Sequence, residues 1–313
     1  MNLQSVMAPA GPDAERILAL TWLLFGAGGA ILLLVMVLAA AAICGGARTR
    51  RLLGSRRVIL AGGVAFPVVV LTALLFHTLG LARALGLPLP GGVPPLRIEV
   101  VGHQFWWEVR YPATLPAATI VTANEIRIPT GRDVELRVTS ADVIHSLWVP
   151  ALHGKIDMIP GQINVLRIRA DRPAVVRGQC TEFCGAQHAL MAFLVVAESP
   201  EEFEAWLGRQ RLPAPVPADP FLATGREVFG AAGCGGCHTV RGTEWAGRLG
   251  PDLTTVGGRL SLGAGILTNH RGTLAGWIAG SQDLKRGNRM PSFATALDGP
   301  ELRAVAAWLE SLQ

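Results

Sequence analysis

Two cysteines, a histidine and a methionine are grouped in the short segment GQCTEFCGAQHALM. Cys180 and Cys184 could form a disulfide, bind a structural zinc ion, or supply two thiolates to a softer, redox-active metal. A disulfide would leave His145, His188 and Met191 without a role, and a structural zinc site would not use the thioether of Met191. Thiolate, imidazole and thioether ligands together favour copper, and two thiolates in one loop can bridge two copper ions.

A second pair of cysteines lies towards the C-terminus, where the sequence CGGCH places Cys234 and Cys237 before His238. This spacing is the attachment signature of c-type haem; a thioredoxin-like redox motif is the alternative, but it would need a βαβ context and would leave the histidine unexplained. With haem attached, His238 becomes one axial ligand of the iron. Met290, the one methionine that follows this motif, is preferred as the opposite ligand over His270 or an open position, because Met/His ligation raises the reduction potential.

The elements that must position the copper ligands lie in residues 93–200. Runs such as LRIEVVG, DVELRVTS, NVLRIRA and MAFLVVA alternate apolar with charged residues at a period of two, which is typical of strands with one solvent-facing side. About seven such strands predict an all-β sandwich or Greek-key barrel. His145 follows DVELRVTS, and the cysteine segment lies between NVLRIRA and MAFLVVA. Since loops cluster at the ends of a sandwich, we expect the two to meet.

Residues 1–90 are predicted to form a transmembrane hairpin. No charged residue occurs in residues 17–43, and only His77 interrupts the apolar stretch 58–81. Each run exceeds the roughly 20 residues that a helix needs to cross a bilayer, and the first is too long for the apolar part of a cleaved signal peptide. The loop between the runs contains five arginines: Arg48, Arg50, Arg51, Arg56 and Arg57. The positive-inside rule predicts that this loop is cytoplasmic and that the later domains lie outside.

The chain changes character after the strand-rich region. Residues 201–220 are predicted to form a short helix followed by a stiff, proline-rich linker. Residues 221–313 show helical patterns and predict an all-α domain around the haem. An apolar stripe on the C-terminal helix of this domain is expected to pack against its first helix at Gly225 and Phe229.

The pattern His, then Cys-x-Glu-x-Cys-x-x-x-His-x-x-Met, with VGHQFWW upstream and IHSLWVPALHGKIDMIPGQ around the first histidine, resembles subunit II of haem-copper cytochrome c oxidases. The resemblance covers residues 10–200 and implies a cupredoxin-like sandwich with the binuclear copper centre CuA. It implies six ligands: His145, Cys180, Glu182, Cys184, His188 and Met191. In that arrangement the two cysteines bridge both coppers, His145 and Met191 complete one, and His188 with the backbone carbonyl of Glu182 completes the other.

The same resemblance carries two further expectations. The carboxylate of Glu182 would reach a Mg²⁺ or Mn²⁺ ion at the interface with subunit I. In the commoner family sequence a tryptophan, associated with electrons arriving from soluble cytochrome c, stands at the position of Phe105. Phe105 and Trp106 are therefore both candidates for the residue at which electrons enter the copper domain.

Residues 221–313 resemble class I cytochrome c, in which the carbonyl of Pro251 would orient His238, and the fused chain resembles subunit II of caa-type oxidases. This implies an electron path from an external donor, such as a quinol–cytochrome c reductase complex or a cytochrome c, through haem c and CuA to subunit I. There O2 would be reduced to water with proton pumping, so no catalytic residue is expected in this chain. The implied partners are oxidase subunits I and III and membrane lipid. The implied location is the bacterial plasma membrane, with the copper and haem domains on the periplasmic side.

Two other functions share these features. A CuA-containing nitric oxide reductase subunit would share the copper segment and could share the hairpin, and a membrane-anchored electron shuttle would need no catalytic partner. The net charge of +5 includes the arginines of the loop between the apolar runs, and the sequence contains no nucleic-acid-binding motif. Nucleic acid is therefore not an expected partner.

Overall fold

The computed structural model describes residues 4–85, 93–115 and 118–313. The chain divides into two compact units, Glu15–Leu87 in one and Met1–Ala14 with Pro88–Gln313 in the other. The smaller unit is a pair of long apolar helical segments. The larger unit contains a β-sandwich followed by a helical domain, so the predicted fold class is confirmed.

The helices of the smaller unit are apolar along most of their length. In chain order they are α1 (Pro12–Cys44), α2 (Ala47–Leu53), α3 (Arg56–Leu60) and α4 (Phe66–Ala84), with a π-helical turn at Ala61–Ala65 before the last. The segments Pro12–Cys44 and Arg56–Ala84 have mean hydropathies of 2.6 and 2.5, and their large apolar side chains are exposed. Both are long enough to cross a bilayer, as expected for a membrane protein with two transmembrane helices.

The irregular turn inside the second span has a local cause. Pro67 has no N–H to donate to the carbonyl of Gly63, and its ring would clash with that carbonyl in a regular helix. The π-helical turn at Ala61–Ala65 widens the helix immediately before the proline. At the other end of the span, the side chain of Arg16 in α1 donates to the carbonyl of Ala84 (3.2 Å), so the two spans run antiparallel.

The sandwich consists of two five-stranded sheets. Its strands in chain order are β1 (Leu96–His103), β2 (Trp106–Tyr111), β3 (Ile120–Ala123), β4 (Glu125–Pro129), β5 (Val134–Ser140), β6 (His145–Trp148), β7 (Lys155–Met158), β8 (Asn164–Ile168), β9 (Ala174–Cys180) and β10 (Ala192–Glu198). The sheets have the orders β3-β2-β1-β5-β8 and β4-β10-β9-β6-β7. In β5, Val134, Leu136 and Val138 are buried and the charged residues between them are not, so one face of the strand packs into the core.

The described part of residues 93–200 contains ten strands where the sequence predicted about seven. One cause is Asn124, whose φ of 61° lies in the left-handed region that asparagine tolerates better than most residues. The first sheet contains β3, which ends at Ala123, and the second contains β4, which begins at Glu125. Asn124 therefore turns the chain from one sheet into the other, and its Oδ1 accepts a hydrogen bond from the N–H of Trp107 (2.9 Å).

Strand pairing brings the predicted copper ligands to one end of the second sheet. The last residue of β9, Cys180, lies opposite Leu147 of β6, two residues after His145. On its other side β9 pairs with β10, whose first residue, Ala192, directly follows Met191. The N–H of Cys180 donates to the carbonyl of Met191 (2.9 Å), which fixes the two ends of the cysteine-containing loop together.

After the sandwich, the chain is largely helical. Its helices are α5 (Pro200–Gln210), α6 (Pro220–Ala231), α7 (Arg271–Leu284) and α8 (Gly299–Ser311), with a short hairpin of β11 (Ser261–Leu262) and β12 (Leu267–Thr268). Helix α6 crosses α8 at Gly225, where a Cβ would lie 2.1 Å from the carbonyl oxygen of Ala304. The rings of Phe229 and Trp308 meet edge to face beside this crossing, with centroids 5.1 Å apart. Only glycine allows the two helices to approach this closely.

The helical domain is hydrogen-bonded to both the linker and the sandwich. Ala214, in the proline-rich segment, donates its N–H to the carbonyl of Arg241 (2.8 Å). Ala192, at the start of β10, donates its N–H to the carbonyl of Ala264 (3.0 Å). The linker thus lies on the helical domain, and the helical domain contacts the strand that follows the cysteine-containing loop.

Candidate metal centre and haem site

Five side chains predicted as copper ligands meet at the end of the second sheet. The two sulfur atoms of Cys180 and Cys184 lie 3.8 Å apart, and both residues are buried. Nδ1 of His145 lies 3.9 Å from the sulfur of Cys180. The sulfur of Cys184 lies 3.6 Å from Nδ1 of His188 and 3.7 Å from Sδ of Met191. The structure therefore brings together residues that are far apart in sequence.

These separations fit a metal site. Ligands that share one metal ion, with bonds of about 2.0–2.3 Å, lie about 3.3–3.8 Å apart. Both cysteines are free, and their sulfurs are too far apart for a disulfide bond of about 2.05 Å. The backbone carbonyl of Glu182 adds an oxygen 3.3 Å from the sulfur of Cys180. Two thiolates, two imidazoles, a thioether and a carbonyl form a donor set that suits copper.

The orientation of His145 is set by Asp142. Nε2 of His145 lies 2.8 Å from Oδ1 of Asp142, so Nδ1 of the same ring is left to face the sulfurs. The backbone N–H of Gln104 donates to the other carboxylate oxygen of Asp142 (2.7 Å), and the Gln104 side chain donates to the carbonyl of Cys184 (2.6 Å). Asp142 and Gln104 are not among the residues predicted from sequence. The position of Asp142, three residues before His145 in a turn, is the signal that could have identified it.

These contacts shift the pKa values of the two cysteines and of Asp142. Burial raises the pKa of Asp142, but the hydrogen bonds from His145, Gln104 and Val143 outweigh burial and hold that pKa below its usual range. The contact with Cys184 lowers the pKa of the Cys180 thiol, and the same contact raises the pKa of Cys184. Binding of a metal to both sulfurs would favour the thiolate form of each cysteine.

Packing around His145 leaves its ring little freedom. A Cβ at Gly102 would lie 2.8 Å from Cδ2 of His145, so no other residue fits at that position in β1. The buried ring of Trp107 lies 6.1 Å from the imidazole and 5.1 Å from the ring of Phe193, measured between centroids. A rigid core thus holds the imidazole in place.

A cavity of about 480 Å³ is lined mostly by the helical domain and contains the four residues predicted to hold the haem: Cys234, Cys237, His238 and Met290. Nδ1 of His238 lies 2.7 Å from the carbonyl oxygen of Pro251, which accepts a hydrogen bond from its N–H and leaves Nε2 free. Burial lowers the pKa of His238, so the imidazole is neutral and able to bind iron. The backbone at Gly250 packs closely against the His238 ring, because a Cβ at Gly250 would lie 2.5 Å from Cε1 of that ring.

Met290 is held to the cavity wall by its backbone. Its carbonyl accepts hydrogen bonds from Oγ of Ser281 (2.9 Å) and Nε2 of Gln282 (2.6 Å). Its N–H donates to Oδ1 of Asn288 (2.7 Å). His270, the alternative ligand considered from sequence, is exposed outside this cavity, and its Nδ1 accepts from the first backbone N–H groups of α7.

Arg259 supplies a buried positive group to the same cavity. One of its terminal nitrogens donates to the carbonyl of Asp252, while its buried Nε has no hydrogen-bond partner within residues 4–85, 93–115 and 118–313. A carboxylate of the haem would provide that partner. An apolar cavity with two cysteines, a neutral histidine and a buried guanidinium therefore fits haem c. Arg259 was not predicted from sequence.

Comparison with known proteins identifies two family matches in the larger unit. Residues 114–198 match the family "Cytochrome C oxidase subunit II, periplasmic domain", and residues 222–313 match the family "Cytochrome c". Cytochrome c oxidase subunit 2 of Apis koschevnikovi is 32% identical over 159 residues, which cover 46% of this chain and 69% of that protein. The chain belongs to the cytochrome c oxidase subunit 2 family. This membership implies copper, and the cytochrome c domain implies haem c.

A further relative and a solved structure are also similar to this chain. Cytochrome c oxidase subunit 2 of Alkalihalophilus pseudofirmus is 39% identical over 216 residues, covering 69% of this chain and 61% of that protein. The chain therefore spans about three fifths of the length of that relative. A crystal structure of the periplasmic domain of subunit II of cytochrome oxidase from Bradyrhizobium japonicum is 30% identical, covers 37% of this chain and 93% of that chain, and has a TM-score of 0.35.

In this subunit the two residues considered for electron acceptance, Phe105 and Trp106, line the haem cavity. Phe105 is buried, and the ring of Trp106 stacks on that of His103 with centroids 4.4 Å apart. The sandwich thus forms one wall of the cavity that holds His238. This contact could not be predicted from the sequence, because it depends on how the two domains pack.

Proposed function

We propose that the chain is the electron-transfer subunit of a respiratory haem-copper oxidase. It accepts electrons at haem c, transfers them to a binuclear copper centre and delivers them to subunit I, where O2 is reduced to water with proton pumping. The observation that carries this proposal is the shared cavity, in which Phe105 and Trp106 stand in the wall around Cys234, Cys237 and His238. The haem-attachment residues and residues of the copper domain therefore line one cavity.

Two sulfurs with further donors on both sides support a binuclear copper centre. Cys180 and Cys184 would bridge the ions, His145 and Met191 would complete one, and His188 with the carbonyl of Glu182 would complete the other. When bound, copper and haem iron supply reversible one-electron chemistry. The protein contributes buried, hydrogen-bonded ligands that hold their positions in both redox states.

The haem would be bound through the two cysteines and two axial ligands. Cys234 and Cys237 would form the thioether bonds, and Nε2 of His238 would bind the iron on one side. Met290 would bind it on the other, since its backbone is fixed by three hydrogen bonds beside the cavity. Arg259 would pair with a haem carboxylate.

The surface near the copper site supports binding to subunit I. Phe183, in the cysteine-containing loop, is 78% exposed and would be covered by subunit I. The half-exposed carboxylate of Glu182 lies 3.6 Å from Nζ of Lys155 and would bind a Mg²⁺ or Mn²⁺ ion shared with subunit I. Subunit III and an external donor, a quinol–cytochrome c reductase complex or a cytochrome c, would complete the electron-transfer system.

The positive-inside rule supports the orientation of the hairpin in the bacterial plasma membrane. The arginine-rich loop of residues 48–57 would be cytoplasmic, and the copper and haem domains would lie in the periplasm.

The decisive experiment is purification of the complex from membranes through a tag on this chain. We expect a multi-helix subunit with its own haems to co-purify, and the complex to consume O2 with a reductant while this chain alone does not. Consumption of nitric oxide in place of O2 would indicate a nitric oxide reductase. Recovery of the chain without a haem-containing partner would indicate an electron shuttle.

A further inference from the structure

A buried lysine connects the helical domain to the copper domain. Lys285 follows the last residue of α7 and is only 2% exposed, although its side chain carries a charge at neutral pH in most proteins. Its Nζ donates to three backbone carbonyls, those of Phe105 (2.8 Å), Leu190 (2.9 Å) and Gly263 (2.8 Å). Two of these acceptors belong to the sandwich and the third to the helical domain.

The chemistry of the site suits an ammonium group better than a guanidinium group. An ammonium has three N–H donors on one nitrogen, and here three acceptors converge on that nitrogen. The chain contains 26 arginines and two lysines, and the other lysine, Lys155, is half-exposed on the sandwich. An arginine would spread its donors over a planar fork and could not direct three of them to the same point. Burial lowers the pKa of Lys285 to about 7. Three acceptors around one nitrogen favour the protonated form.

The acceptors lie beside both redox sites. Leu190 directly precedes Met191, whose Sδ lies 3.7 Å from the sulfur of Cys184. Phe105 lines the haem cavity, and Lys285 itself lines it. Nζ of Lys285 is thus hydrogen-bonded both to the cysteine-containing loop and to the wall of the haem cavity.

We infer that Lys285 is a positioning residue. It holds the cysteine-containing loop and Phe105 against the haem cavity, and so fixes the distance between the two redox sites. The inference rests on the proposed function for its electron-transfer consequence. Its structural consequence is independent of that function, because loss of the ammonium removes the donor that three carbonyls at the interface share, among them the buried contact with Phe105. The interface should then open more often.

Hydrogen exchange in the intact complex tests the structural consequence. The N–H of Ala192 donates to the carbonyl of Ala264, and the N–H of Leu260 donates to Oε2 of Glu125 (2.8 Å), both across the interface. Lys285→Met should increase exchange in peptides containing these two amides by about tenfold or more. Arg286→Met is the matched control, because it removes one positive charge from the adjacent, exposed side chain. The same two amides should exchange in this variant as they do in the wild type.

Electron transfer after flash reduction of the haem tests the functional consequence. Lys285→Met should slow copper reduction by about tenfold or more while the copper and haem spectra remain those of the wild type. Wild-type exchange and wild-type transfer in this variant would overturn the inference. If the Lys285→Met complex does not assemble, the same two measurements are made on Lys285→Arg, which keeps the positive charge but changes the geometry of the donors. Wild-type hydrogen exchange and wild-type electron transfer in Lys285→Arg would also overturn the inference. If the wild-type complex itself passes no electron from haem to copper, the proposed function fails, and the exchange measurement still decides the role of Lys285.

Discussion

The sulfur atoms of Cys180 and Cys184 lie 3.8 Å apart, each beside a different histidine. This separation excludes a disulfide and allows two metal ions to share both sulfurs. Because Cys184 is the residue that lies next to both His188 and Met191, its loss should affect the site more than loss of any one peripheral ligand.

Cys184→Ser should convert a two-copper site into one that holds at most one copper. The wild-type complex should show a multi-line hyperfine pattern from two equivalent copper nuclei in its paramagnetic resonance spectrum, and the variant should lose it. Cys44→Ser, at an exposed cysteine at the end of α1, is the control and should keep the wild-type spectrum. A four-line mononuclear spectrum in the wild type, or zinc in place of copper, would contradict the assignment.

Asp142→Ala should weaken copper binding by about 10–100-fold, the usual effect of removing the group that orients a metal-binding histidine. The reason is that Nε2 of His145 loses its carboxylate partner while the ligand itself remains. Competition titration of the copper-free protein measures this. Asp171→Ala, at a half-exposed carboxylate paired with Arg169, should bind copper like the wild type. Equal affinities for the two variants would show that Asp142 has no orienting role.

Much of this site could be predicted from the sequence because its ligands are concentrated in two segments. The spacing from Cys180 to Met191 identifies the donors, and strand patterns explain how His145 reaches them. The partners of those ligands could not be predicted in the same way. Asp142 needs the turn geometry, and Lys285 needs the packing of two domains that no local pattern describes.

The strand count shows the same limit in the fold. Alternation of apolar and charged residues identified the sandwich, but it does not mark where a strand leaves one sheet for the other. That crossing depends on the left-handed backbone of Asn124. The packing of α6 on α8 was predictable, since an apolar stripe and a glycine at the crossing both leave a trace in the sequence.

Met290→Ala should leave the haem covalently attached but change its axial ligation and lower its reduction potential, because the thioether ligand is lost. Absorption spectra and a redox titration of the complex measure both effects. His270→Ala is the control, since His270 caps α7 and does not line the cavity; it should leave the spectrum and the potential unchanged. The opposite result, a change with His270→Ala only, would assign the ligand to His270.

Gly225→Ala should destabilise the helical domain by about 1–3 kcal/mol, because the added Cβ would lie 2.1 Å from the carbonyl oxygen of Ala304. Thermal unfolding followed at the haem absorption measures the loss. Gly276→Ala, in the exposed face of α7 with open space around its Cβ position, should be neutral or stabilising by up to about 1 kcal/mol. A wild-type melting temperature for Gly225→Ala would mean that α6 and α8 do not cross this closely.

The central claim is that haem c and copper exchange electrons within one chain whose domains are already in contact. The most direct measurement is flash reduction of the haem in the intact complex, with copper reduction followed across protein dilution and ionic strength. Because donor and acceptor are tethered and hydrogen-bonded to each other's domains, the rate should be independent of protein concentration and change little with salt. A rate that increases with the concentration of the complex, or that collapses at high salt, would show that the electrons come from a separate molecule and would contradict this account.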